Sequence, residues 1–237
     1  MPLNRQRLLN QLPADYQWQV PANLAEQTQR VLADEKSGSP SPAEAIEDDR
    51  SNRFNLALGN LVHQALAFIG EQNQQSRPLD QDLLANRMRS WLPKLDAEPH
   101  RWNEVFDAAQ THIERTLAEP KGQWLLQAHV NGHFEWPVTV ATSSGARKLI
   151  FDRMFRTDDA WWIVDFKTSE PQRGEALHAF LTEETNRYGP QLQRYQQALS
   201  ALVTQCPEIF TPTPPTGLPV RTALYFTGIS HFEELLL

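Results

Sequence analysis

Two acidic residues interrupt an otherwise apolar β-hairpin, and no other stretch of the chain constrains its fold as tightly. Leu149-Ile150-Phe151-Asp152-Arg153-Met154-Phe155 reads as one strand, Asp158-Asp159 as a turn, and Trp161-Trp162-Ile163-Val164-Asp165-Phe166-Lys167-Thr168 as the returning strand. An even-numbered loop centred on the Asp158–Asp159 bond opposes Phe155 to Trp162 and Phe151 to Phe166 on one face. On the other face it opposes Met154 to Ile163, Ile150 to Lys167 and Asp152 to Asp165. Directly opposed side chains stand about 5 Å apart at Cβ. Two carboxylates at that distance among apolar neighbours repel each other and resist desolvation. A shared proton, a neighbouring cation or a metal ion between them removes the conflict.

Of these remedies a hard divalent cation such as Mg²⁺ suits oxygen donors best, and it keeps waters for further chemistry. Lys167 follows Asp165 by two residues and therefore lies on the same strand face. Its ammonium can steer an attacking water or stabilise negative charge that grows at phosphorus. The bland alternative is a solvated hairpin edge, the usual setting of an isolated D-x-K in a strand. Ile163, Val164 and Phe166 are apolar on both faces of the strand and argue against exposure.

The rest of the chain divides into a peripheral start, a helical block and a strand-rich remainder. Ala22 to Leu32 suits a short helix, and Ser37-Gly38-Ser39-Pro40-Ser41-Pro42 with the acidic Glu44, Glu47, Asp48 and Asp49 reads as a solvated linker. Residues 1–53 are thus an expected extension and 54–237 the expected principal domain. Leu58, Leu61, Val62, Ala65, Leu66 and Ile69 recur at helical spacing, as do Leu83, Leu84, Met88, Trp91 and Leu92, and Trp102, Val105, Phe106, Ala109, Ile113 and Leu117. Gln127 to Val140 reads as extended chain with a break at Asn131-Gly132, and Val220 to Phe226 as the last strand. A helix is expected from about Pro190 to Thr204, because proline tolerates the first helical position. These elements predict an α/β fold, a mixed sheet flanked by helices with a helical region before it.

Composition excludes several function classes. The 237 residues contain a single cysteine, Cys206, too few for an internal disulfide framework or a four-cysteine zinc or iron–sulfur site. No apolar run reaches the length of a membrane span, and the first residues lack a signal-peptide core, so a cytoplasmic setting is expected. No G-x-x-x-x-G-K-[ST] loop is present. The net charge of −7 weighs against tight, unaided capture of nucleic acid. His129 and His133 could pair on a metal only in a helix, which Asn131-Gly132 argues against, and one or both of Trp161 and Trp162 must be core.

Four blocks resemble, in order, the nuclease domain at the C-terminal end of RecB and AddA helicase–nucleases, within the PD-(D/E)XK superfamily. They are Gly59-Asn60-Leu61-Val62-His63, similar to a G-x-x-x-H helix motif; Phe151-Asp152-Arg153; Val164-Asp165-Phe166-Lys167-Thr168, similar to I-D-x-K-T; and Gln191-Leu192-Gln193-Arg194-Tyr195, similar to Q-x-x-x-Y. The resemblance implies that His63, Asp152, Asp165 and the Phe166 carbonyl ligate Mg²⁺, or Mn²⁺ in its place. It implies Lys167 as the catalytic lysine and Gln191 and Tyr195 as groups that orient the active site or the DNA backbone. Gln191 and Tyr195 share a helix face, and their expected place near a helix start favours an anion. Glu135 resembles a glutamate that often precedes the acidic hairpin. Ile150 stands where the family often has glycine. The implied activity is exonucleolytic hydrolysis of DNA in recombination or repair, on single-stranded ends delivered by a UvrD-like helicase in the same chain or another. A nuclease fold kept only for docking to DNA or a helicase is the alternative. The two differ in whether any divalent metal elicits cleavage.

Overall fold

The computed structural model describes residues 42–95, 97–142 and 145–237. A compact unit spans Asp48–Leu237. The segment expected to be helical at Ala22–Leu32 and the Ser/Pro stretch before Pro42 lie outside the described residues.

The first helix, α1, spans Pro42–Gln74. Glu44, Glu47, Asp48 and Asp49, expected in an irregular linker, belong to it. Pro42 suits the opening turn of a helix. Helices α2 (Gln81–Trp91) and α3 (Trp102–Ala118) follow the apolar spacing closely. Between α3 and the sheet lies a short helix that periodicity missed, α4 (Pro120–Leu126), opened by Pro120 and capped by the Glu119 carboxylate on the Gly122 N–H.

Five strands form one sheet in sequence order: β1 (Val130–Thr142), β2 (Gly145–Arg156), β3 (Trp161–Lys167), β4 (Val220–Phe226) and β5 (His231–Leu235). Only β3 and β4 are parallel, so the sheet is mixed as expected. β5 is a further strand beyond Phe226; its His-Phe-Glu-Glu-Leu composition gives little β signal. The break foreseen at Asn131-Gly132 is a register shift between Val130 and His133, with Asn131 at φ 52°.

The crossover from β3 to β4 runs through α5 (Leu177–Gln205), which begins well before the expected start and carries Pro190 inside it. Phe180, Glu184, Leu192, Tyr195 and Leu199 are buried along it. This stripe continues across Gly189-Pro190, so tertiary packing outweighs the hydrogen bond that proline cannot make.

Each face of the sheet has its own core. Helices α1 to α4 pack on Phe134, Phe155, Trp162, Val164, Phe166 and Tyr225. Helix α5 packs on Val138, Phe151, Met154, Trp161, Ile163, Leu224 and Phe226. Residues of β3 alternate between the two cores, as a doubly covered strand must, and both Trp161 and Trp162 are buried. One expectation fails here. Phe151 and Phe155 were placed on one face, yet Phe151 joins the α5 side and Phe155 the other. The neighbouring strand switches likewise, with Phe134 on one face and Val138 on the other. The switch falls at Glu135 and Asp152.

Candidate active site

The switch has a visible backbone cause. Glu135 has φ 46°, a left-handed conformation uncommon for a non-glycine residue. Phe134 pairs with Arg153 and Trp136 with Phe151, while Glu135 and Asp152 between them do not pair. The β2–β3 ladder holds the expected register for Arg153–Val164, Met154–Ile163, Phe155–Trp162 and Arg156–Trp161, and stops there. Asp152 therefore lies at a ladder break on one side and beyond a ladder end on the other. Its Oδ2 instead accepts the Phe166 N–H at 2.9 Å. Such irregularities re-aim side chains, and they concentrate at functional sites.

Around this break the sequence-predicted residues converge. His63 follows Gly59 by one turn of α1, and Gly59 faces Thr168, just past β3. The His63 Nε2 lies 2.8 Å from the Phe166 carbonyl. A carbonyl only accepts, so Nε2 carries the proton and Nδ1 faces the acids, 3.5 Å from Asp152 Oδ2 and 3.8 Å from Glu135 Oε1. Ligand atoms of His63, Glu135 and Asp152 lie within 4.8 Å of one another.

Asp165 and Lys167 occupy the adjoining position. Asp165 is only 3 % exposed. Its Oδ2 takes the Lys167 ammonium at 2.5 Å and, among the described residues, accepts no other hydrogen bond. Its Oδ1 receives Gln191 Nε2 at 3.3 Å, and Gln191 Nε2 is 2.8 Å from the Tyr195 hydroxyl. Gln191 and Tyr195 thus act on Asp165 from the middle of α5. The anion-binding rationale for a helix start does not apply to them, because α5 begins at Leu177. Tyr188, on the same helix, lays its ring 3.7 Å from Lys167 Nζ. It escapes a sequence reading that starts the helix at about Pro190; its spacing of three from Gln191 and seven from Tyr195 carries the signal.

Of these groups His63, Phe166, Lys167 and Tyr188 line a cleft of about 700 Å³, together with Thr168 and His112, while Asp165 is buried behind Lys167. Burial, with Asp165 and Glu135 close by, raises the Asp152 carboxyl well above the usual range against the opposing Phe166 N–H and Lys167. Partial desolvation chiefly raises Glu135 as well, although its side chain is 42 % exposed. For Lys167, burial alone would favour the neutral amine, but the Asp165 carboxylate outweighs it and raises the ammonium. Burial pushes the Tyr195 hydroxyl up to about 12, so it remains a neutral donor and acceptor.

Residues 27–226 match the family described as the PD-(D/E)XK nuclease superfamily. The chain belongs to that superfamily. No curated protein matches it. Membership in the PD-(D/E)XK superfamily implies hydrolysis of phosphodiester bonds, contact with nucleic acid and use of divalent metal ions. The residues present fit such an ion. Nδ1 of His63 is aimed at two carboxylates, a repulsion that a proton or a cation between them relieves, while its other nitrogen is held by a backbone carbonyl, as in many metal-ligating histidines. Two carboxylates and an imidazole are a donor set for a divalent cation. Among the described residues no helix is long and apolar enough to cross a membrane.

A raised carboxyl has a consequence for stability without metal. The unfolded chain releases the Asp152 proton near the ordinary carboxylate pKa, whereas the folded protein retains it to higher pH. The folded state then binds more protons, so stability falls as pH rises from about the usual value of 3.8 through the raised one. Asp152→Asn keeps an acceptor for the Phe166 N–H and removes the charge. It is expected to raise the metal-free melting temperature at pH 7, by roughly 2–4 °C per kcal/mol relieved, and to have little effect near pH 3. Calorimetry at the two pH values checks this; a lower melting temperature at pH 7 counts against it.

Proposed function

We propose that this chain is a metal-dependent deoxyribonuclease that hydrolyses DNA exonucleolytically from single-stranded ends, as the nuclease module of a helicase–nuclease in recombination or repair. The observation that carries the reading is the cluster of His63, Glu135 and Asp152 next to the Asp165–Lys167 pair, with His63 and Lys167 lining one cleft. We take 54–237 as the nuclease domain and 1–53 as the extension towards a UvrD-like motor, in the same chain or another, in the cytoplasm. The net charge of −7 supports a delivered strand over one captured unaided.

In this reading His63, Asp152 and Glu135 would hold Mg²⁺ or Mn²⁺, while Asp165 engages Lys167 and the Phe166 carbonyl fixes the His63 ring through Nε2. The ion, when bound, supplies Lewis acidity at the scissile phosphate. Asp165 holds the Lys167 ammonium beside the cleft, and Gln191 fixes the other oxygen of Asp165. Lys167 orients water and offers its positive charge to the phosphorane-like transition state. Tyr188 confines the ammonium from above.

End-labelled single-stranded DNA incubated with the purified chain and Mg²⁺ or Mn²⁺ is expected to be degraded, and a chelator to stop it. Absence of cleavage with every divalent metal, on single- and double-stranded DNA alike, would leave the fold without this activity.

A further inference from the structure

We infer that His112 and Thr227 are positioning residues, which set the course of Lys167 by gripping its backbone carbonyl. The inference rests on the nuclease reading for its consequence, but on hydrogen bonds for its geometry. Neither residue belongs to the acidic cluster. His112 lies on α3 and is 6 % exposed, with an edge on the cleft. Thr227 directly follows β4 and is fully buried.

Two donors of Thr227 converge on one acceptor. Its N–H donates to the Lys167 carbonyl at 2.9 Å and its hydroxyl to the same oxygen at 3.1 Å. A hydroxyl has one proton, which is spent there, so towards His112 Nδ1 at 2.8 Å the oxygen accepts. His112 therefore donates from Nδ1. Burial lowers its pKa, ahead of the opposing Glu170 and the reinforcing Arg115, which suits a neutral ring in that tautomer. The bonds run in one direction, from His112 to Thr227 to Lys167.

Their position gives them leverage. Lys167 is the last residue of β3, paired with Phe226 at the end of the β3–β4 ladder, and the chain leaves the sheet after it. The carbonyl contact fixes where the strand ends and hence where the lysine side chain departs. Three residues along α3, Arg115 donates to the Gly228 carbonyl and at 3.1 Å to Glu170. Glu170 packs so closely on Gly228 that a Cβ there would lie 2.1 Å from its carboxylate oxygen. Helix α3 thus clamps the segments that follow β3 and β4. A misplacement of about 1 Å at a reacting group can cost roughly a hundredfold in rate.

Thr227→Val retains shape and loses the hydroxyl. On single-stranded DNA with Mn²⁺ it is expected to lower kcat about 10–100-fold, with KM and Mn²⁺ binding within about threefold. Thr227→Ser, which restores the hydroxyl, and His112→Asn, which keeps a donor near Nδ1, should recover most of the rate. In a Lys167→Ala background Thr227→Val should add little, since its effect passes through the lysine. An equal loss in both backgrounds, or an intact kcat in Thr227→Val, overturns the inference. Acylation of the Lys167 amine, followed by mass spectrometry on the folded protein, gives a readout independent of cleavage. Faster labelling in Thr227→Val supports the positioning role, and an unchanged rate overturns it. Failure of the wild-type chain to cleave DNA would remove the nuclease reading alone, with labelling still deciding this one.

Discussion

Lys167→Ala is expected to lower kcat for DNA cleavage about 10²–10⁴-fold, equivalent to roughly 2.7–5.5 kcal/mol of transition-state stabilisation, with KM changed by no more than a few-fold. The ammonium is 2.5 Å from Asp165 and beside the Tyr188 ring, in a half-buried position where a charge acts more strongly than in water. Asp165→Ala should produce a loss of similar size, because it releases both Lys167 and Gln191. The two losses should not add, since the residues act as a unit. Arginine at 167 is not expected to rescue, because its planar fork is bulkier and its proton is held more tightly. Lys167→Ala also leaves Asp165 buried beside Asp152 without its ammonium, so the metal-free variant should melt lower than wild type. Single-turnover kinetics on end-labelled DNA, with circular dichroism to verify folding, measure both effects. Cleavage retained by both folded variants contradicts the proposed chemistry.

Arg153→Met is expected to destabilise the fold by about 3–5 kcal/mol without direct contact with the cleft. Arg153 is fully buried. Its guanidinium has backbone carbonyls rather than a carboxylate for partners: Nε donates to Leu125 at 2.8 Å, NH2 to Gln127 at 3.0 Å and NH1 to His133 at 3.4 Å. Leu125 and Gln127 lie at the C-terminal end of α4, where carbonyls lack helical partners and the dipole favours a cation. The rings of Phe134 and Phe155 lie 4.1 and 4.7 Å from its Cζ. Burial pushes the guanidinium down to about 9, still protonated at neutral pH. Methionine fills the volume but strands three acceptors, each costing about 1–3 kcal/mol when buried and unpaired. Lysine has the charge without the fork and should recover only part of the loss. Urea unfolding at constant m-value measures it. A loss below about 1 kcal/mol would show that this cation is not what joins α4 to the sheet.

The legible parts of the fold were those with a clean period. The stripe from Leu58 to Ile69 gave α1, and the hairpin's even loop gave its register, because a doubly buried strand tolerates no slip. Gly189-Pro190 misled because local rules treat the pair as a boundary, while the stripe from Phe180 to Leu199 holds one helix through it. Begun too late, that helix concealed Tyr188 and suggested an anion-binding start for Gln191 and Tyr195. Strict alternation misplaced Phe151, since nothing local announces that β1 and β2 change faces together at Glu135 and Asp152. The acids drew notice as a conflict between opposed Asp152 and Asp165, but the ladder ends before that pair and the group that closes on Asp152 is His63 and Glu135. His112 and Thr227 were not legible, because their role arises from elements far apart in sequence.

The proposed chemistry requires that His63, Glu135 and Asp152 bind a cation beside Lys167. Melting temperature with and without millimolar Mn²⁺ at pH 7, in wild type and Asp152→Asn, tests it most directly. A rise is expected for wild type, growing with Mn²⁺ concentration as ligand linkage requires, and little or none for the variant, which starts higher. Equal shifts in the two proteins, or none in either, would contradict it.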